Sequence, residues 1–125
     1  MRYTLLMHVS EEAAQVLPPE VMEAGRQAMR SYAATLQAAG VLIAAEVLQP
    51  SSATTTIRVV DGSLQVQDGP FADTKDQLAG TIVIDVADLD AAIAWAREAP
   101  QAQWGSVEIR PGAVHTVAGV WTPNT

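Results

Sequence analysis

Apolar and polar positions alternate along Tyr3–Val9, with Tyr3, Leu5 and Met7 on one side and Thr4, Leu6 and His8 on the other. A period of two predicts a strand, here one with both faces substantially apolar. Ser10–Leu17 reads as a connection leading into Pro18-Pro19-Glu20. That triplet predicts a helix start, since proline suits the first turn and glutamate suits the dipole there. The helix is expected to run to about Ala39, with Met22, Met29 and Leu36 recurring every seven residues and Arg26, Tyr32 and Ala33 filling the same stripe. Gly40 is the expected left-handed stop.

Val41–Leu48 is apolar almost throughout and predicts a second strand, with one acid, Glu46, embedded in it. Thr54–Val60 and Ser63–Gln67 flank Asp61-Gly62 and predict a tight hairpin. A compact loop, Asp68–Asp76, leads to a strand over Ala79–Val86. Asp88 is placed to cap a second helix through Glu98, whose buried side carries Leu89, Ala92, Ile93 and Ala96; Pro100 ends it. Trp104–Arg110 predicts a last strand.

With the hairpin set aside, the order is strand, helix, strand, strand, helix, strand. The fold class is therefore α+β, in the ferredoxin-like βαββαβ order, with an antiparallel sheet carrying both helices on one face. Leu6 and Val41–Ala45 make the opposite face too apolar for water, so a second sheet is expected to cover it. The simplest arrangement is a homodimer whose two sheets face each other across an enclosed cavity.

Composition sharpens this picture. The 125 residues fit one domain, and alanine supplies 22 of them against six aromatics, a thin core that favours an oligomer. Seven Lys and Arg against fourteen Asp and Glu give −7, a charge that repels phosphate backbones and anionic membranes. Neither nucleic acid nor a membrane is an expected partner. The lack of cysteine excludes disulfides, thiolate zinc sites and a cysteine nucleophile, and suits a reducing cytoplasm. No secretory signal opens the chain, because acidic Glu11-Glu12 follows the first strand at once. Phosphate-binding glycine loops and Gly-x-Ser-x-Gly elbows are missing, and His8 and His115 lie more than a hundred residues apart. No cofactor or metal is therefore assigned.

The run Asp68-Gly69-Pro70-Phe71-Ala72-Asp73-Thr74-Lys75-Asp76-Gln77-Leu78-Ala79-Gly80 resembles the signature of the DGPF branch of the YCII-related family. Weaker matches at Ala45-Glu46, Thr56-Ile57-Arg58 and Gly105–Pro111 extend the resemblance over residues 1–112. It implies a dimeric α/β barrel, and leaves residues 113–125 as a C-terminal tail expected at the dimer interface. Better-known relatives are suspected of using a histidine–aspartate pair in the cleft, and some resemble proteins encoded beside sigma factors. This chain departs from that pair, since residues 18–39 contain no histidine.

Candidate chemistry gathers at the loop. Lys75, the only lysine, sits between Asp73 and Asp76 and suits an anion-binding or proton-transferring group; the same residues equally suit a solvated charged turn. Asp68 is expected to bond back onto the turn. Glu46 must be paired, protonated or turned toward water, with Arg58, Lys75 and His8 as possible partners. His8 is placed to join Asp68 or Glu46 as an acid–base unit, or to serve as a hydrogen-bonded strand-end residue. The reading is a small-molecule cleft bordered by Asp68, Lys75, Glu46 and His8, with Arg58, Phe71 and Asp73 as ligand contacts. Acid–base catalysis and a non-catalytic ligand sensor linked to sigma-factor-dependent transcription are its two forms; a third makes the loop purely structural.

Overall fold

The computed structural model describes residues 1–125. Strand β1 (Arg2–Ser10) lies between β5 (Asp76–Asp85) and β6 (Ser106–Pro111), and β2 (Leu42–Val47) pairs with the outer edge of β5. The four strands follow the order β2-β5-β1-β6 with every pairing antiparallel. The fold is mixed α+β.

Register explains where the core sits. Tyr3 pairs with Ile84 and Leu5 with Ile82, so these side chains share one face, which the alternation of β1 and β5 makes apolar. Helix α2 (Pro19–Ala38) and helix α3 (Leu89–Arg97) bring Tyr32, Leu36, Ala92 and Ala96 onto that face, completing the main buried cluster with Met7, Val86 and Ala99. Asp88 caps α3 by accepting from the Ala91 amide at 2.9 Å, as its position predicts.

The stripe on α2 is buried only over its second half. Met22 is exposed, and Arg26 turns outward to hydrogen-bond Glu23 at 2.8 Å. That bond, with support from Gln27 and Arg30, holds the Glu23 carboxyl below its ordinary range. Only Met29, Tyr32 and Leu36 reach the core, because the seven-residue recurrence of Met22 carries no information about how far the sheet extends beneath the helix.

Three boundaries differ from expectation. Ser10–Leu17 is not a plain connection: Ser10 accepts from the Ala13 amide at 3.2 Å and caps a short helix, α1 (Glu11–Gln15). Trp104 belongs to another short helix, α4 (Gln101–Trp104), whose end packs on Gly25 of α2, and β6 begins two residues later. The tail forms its own hairpin, β7 (Val114–Val117) and β8 (Val120–Pro123), clamped to β1 through Asn124, whose side chain bonds both the amide and the carbonyl of Arg2.

The predicted central hairpin is present as β3 (Thr55–Val60) and β4 (Ser63–Asp68), turning at Asp61 and Gly62 with positive φ at both. It pairs with itself alone. Two glycines set close approaches elsewhere: a Cβ at Gly80 would lie 2.7 Å from the Glu46 carbonyl oxygen, and one at Gly105 would collide with the His8 carbonyl.

The face of the sheet away from the helices presents Thr4, Leu6, Thr81 and Val83, with Ala44 and Glu46 on one side and Glu108 and Arg110 on the other. The chain exposes 8478 Å². A folded monomer of 13.2 kDa typically exposes about 6,400 Å², so roughly 2,000 Å² is in excess.

Tyr32 donates its hydroxyl to the Trp95 carbonyl at 2.7 Å. Burial, reinforced by the charge of Glu98, pushes its pKa from 10.0 up to about 12. The folded state therefore holds the phenol proton longer than the unfolded chain does. Stability from this group is complete below pH 10 and is lost as pH rises toward 12. Tyr32→Phe is expected to cost about 1 kcal/mol at neutral pH and to flatten the alkaline loss of stability, as read by denaturant titrations across that range. Gly80→Ala and Gly105→Ala are each expected to cost about 1–3 kcal/mol by forcing strands apart, measurable in the same titrations.

Candidate functional site

A cleft of about 720 Å³ opens at the end of the sheet where β1 finishes and β5 begins. One wall is the segment after β2, including Leu48, Ser51 and Thr54; the other is the loop after β4, through Pro70, Phe71 and Gln77. His8 stands between them.

Local chemistry explains why both walls hold their shape. Glu11, in the first turn of α1, accepts from the Ser51 amide at 2.8 Å and from the Ser51 hydroxyl at 2.9 Å, tying one wall to the end of β1. The loop is fastened by neutral groups. Gly69 adopts positive φ, its amide donates to Thr54, and its carbonyl accepts from the Thr56 hydroxyl at 2.8 Å. Gln67 donates to the Pro70 carbonyl, while Gln77 donates to the carbonyls of Ala72 and Thr74. Satisfied carbonyls make a loop of this length stiff.

His8 follows a register shift between Met7 and His8, where the pairing moves from Gly80 to Leu78. A bulge of this kind redirects side chains. The imidazole Nε2 lies 2.5 Å from a Glu108 carboxylate oxygen, and Arg110 approaches the other oxygen at 3.8 Å. The His8–Glu108 approach lacks hydrogen-bond alignment, so it is a close contact rather than a directed bond. His8 thus belongs both to the cleft and to the uncovered sheet face.

Of the expected site residues, the structure brings His8 and Phe71 together at the cleft. Phe71 is 81% exposed on its rim. Glu46 is exposed at the sheet edge beside Thr81, without an ion pair to Arg58, Lys75 or His8. Arg58 pairs across the hairpin with Gln65 and is exposed. Asp68, paired across the hairpin with Thr55, makes no side-chain bond back onto the turn; Thr56, Gln67 and Gln77 do that work. Asp73 and Lys75 are exposed and unpaired, and neither lines the cleft. The partner of His8 is Glu108, not Asp68 or Glu46.

Two contributors were not singled out from sequence. The alternation of β6 assigns Glu108 to a polar face, but nothing local says that β6 lies beside β1. Glu11 reads as a dipole-favouring acid of a helix start, and its reach to Ser51, forty positions away, is a tertiary fact.

Residues 1–112 match the family model described as YCII-related domain. The chain belongs to the YCII-related family. It is also 35% identical over 117 residues to a protein of Rhizobium meliloti (strain 1021) described as uncharacterized, covering 92% of this chain and 94% of that one. The matched YCII-related region contains every element that builds the cleft, and ends at Gly112, just before the tail hairpin. No helix of the chain is long and apolar enough to cross a membrane.

Removing the clasp is expected to loosen one wall and leave the core intact. Glu11→Ala should cost about 1.5–3 kcal/mol, because two donors lose a charged acceptor, and should speed amide exchange over residues 51–54 more than in α2. Equal exchange in both places would show that Glu11 does not hold the wall.

Proposed function

We propose that this YCII-related protein binds a small organic molecule in the cleft, with His8 as its proton-transfer group and the Glu108 carboxylate in contact with it. The observation that carries this reading is the position of His8, at the junction of a preformed cleft and the uncovered sheet face, with a carboxylate 2.5 Å away. The walls carry the Thr54 hydroxyl and the Asp76 carboxylate beside the apolar Leu48, Pro70 and Phe71, while the hydroxyls of Ser51 and Thr56 and the Gln77 amide nitrogen are engaged by the protein itself. That lining suits a ligand with an apolar part and a polar, hydrogen-bonding end.

In the same reading the chain is a cytoplasmic member of the DGPF branch. Its ferredoxin-like order builds a dimeric α/β barrel in which the faces carrying Leu6 and Val83 meet across a two-fold axis. The order β2-β5-β1-β6 and the surface excess both support this arrangement. Asp68, Asp73, Lys75, Glu46 and Arg58 then act around the cleft, as charges that bias approach, rather than inside it.

The test begins with a fragment library screened by ligand-observed NMR. Saturable binding is expected, weakened about tenfold by Phe71→Ala, which removes an apolar rim contact. Fragments bearing an acidic C–H are then followed for deuterium uptake in heavy water. Catalysed exchange that is lost in His8→Gln, with binding retained, is the expected result. Binding without exchange would favour the non-catalytic alternative, a ligand sensor linked to sigma-factor-dependent transcription. No saturable binding at the cleft would overturn both.

A further inference from the structure

We infer that hairpin β3–β4 is a docking arm whose apolar face is covered by a second copy of this chain. The inference rests on the dimer proposed above and adds an interface that the sheet faces alone do not supply.

The hairpin has two unlike faces. Cross-strand pairs Ile57–Val66 and Val59–Leu64 put four aliphatic side chains on one of them, all between 62% and 69% exposed. The pairs Thr56–Gln67 and Arg58–Gln65 put polar groups on the other, which Val60 and Ser63 complete beside the turn. Thr56 lines the cleft and bonds the loop at Gly69, so the polar face is turned toward the cleft and the aliphatic face away from it. The hairpin shares no sheet with any other strand, and its aliphatic side chains stay largely exposed.

An isolated two-stranded hairpin is marginal in water and requires a third layer. A period-two apolar face with β-branched residues suits burial, and its opposite face is already suited to water. The missing layer is a second copy for two reasons. The surface excess of roughly 2,000 Å² per chain falls in the range that each partner of an obligate homodimer buries. The four aliphatic side chains carry no charge, and the one carboxylate on their face, Asp68, stands opposite Thr55 at the base of the arm, so two chains that each bear −7 can meet over its outer part. Because β3 leaves the cleft wall at Thr54 and β4 returns to it at Asp68-Gly69, a partner that grips the arm also steadies the site.

Sedimentation velocity on the full chain tests this. The unsubstituted protein is expected to be a dimer at micromolar concentration. Val59→Lys with Val66→Lys should weaken dimerisation about 100-fold or more, since it buries two unpaired charges, while Gln65→Lys on the polar face should leave it unchanged. Circular dichroism should show the main sheet intact, because the arm contributes nothing to the core. A doubly substituted chain that dimerises as tightly as the original would overturn the arm and leave the dimer standing; a monomeric original would overturn both. Should the double variant misfold, amide exchange of the original chain decides. Protection at Ile57, Val59, Leu64 and Val66 must rise with protein concentration, and protection independent of concentration would overturn the inference.

Discussion

Everything in this molecule follows from packing one face of a four-stranded sheet. Leu5, Ile82 and Ile84 are sealed beneath Leu36 and Ala92, each 0–1% exposed, and this contact fixes the register of the two central strands. A slip by one residue would exchange Leu5 for Leu6 and Ile82 for Val83, putting smaller or polar neighbours under the helices. Once that register is set, the fate of the other face is set too. Thr4, Leu6, Thr81 and Val83 are left outside the core, half-buried and too apolar for an indifferent surface. A thin, alanine-rich helix layer can seal one side of a sheet; it has no side chains with which to seal two.

The same register delivers His8 to its place. Gly80 lets β2 approach β5 at the Glu46 carbonyl, and Gly105 lets β6 approach β1 at the His8 carbonyl. β5 is thus held close to β2 and β1 close to the start of β6, and the irregularity after Met7 is where the pairing of β1 with β5 is rephased. His8 is therefore aimed by backbone constraints, and Glu108 reaches it from the adjacent strand. Structure of this kind holds the imidazole in place without using any of the loop's own charges.

Much of the architecture was legible because it depends on local signals. The period-two pattern of β1 and β5, the Asp88 cap, the Asp61-Gly62 turn and the proline start of α2 each encode their element in a few residues. The helix stripe was half legible. Tyr32 and Leu36 are core, whereas Met22 and Arg26 share their spacing but lie beyond the sheet. Periodicity reports which side of a helix is apolar, not how much of its length is covered. The site was less legible still. Glu46 inside an apolar strand signalled a residue that must be paired, protonated or turned toward water, yet its exposure without an ion pair, the pairing of His8 with Glu108 and the Glu11–Ser51 clasp all depend on which strands and segments become neighbours.

The loop between β4 and β5 shows how a charged motif and a stiff loop can be separate things. Its shape comes from neutral donors, Thr56, Gln67 and Gln77, acting on backbone carbonyls, which lose little to salt or pH. Asp68, Asp73 and Lys75 take no part in those bonds and remain in solvent. A carboxylate or ammonium recruited to brace the loop would have lost hydration for a screened interaction of small net value. Left outside, the same groups keep their hydration. The scaffold and the electrostatics of this region are carried by different residues, so the loop can vary in charge while the walls of the cleft keep their form.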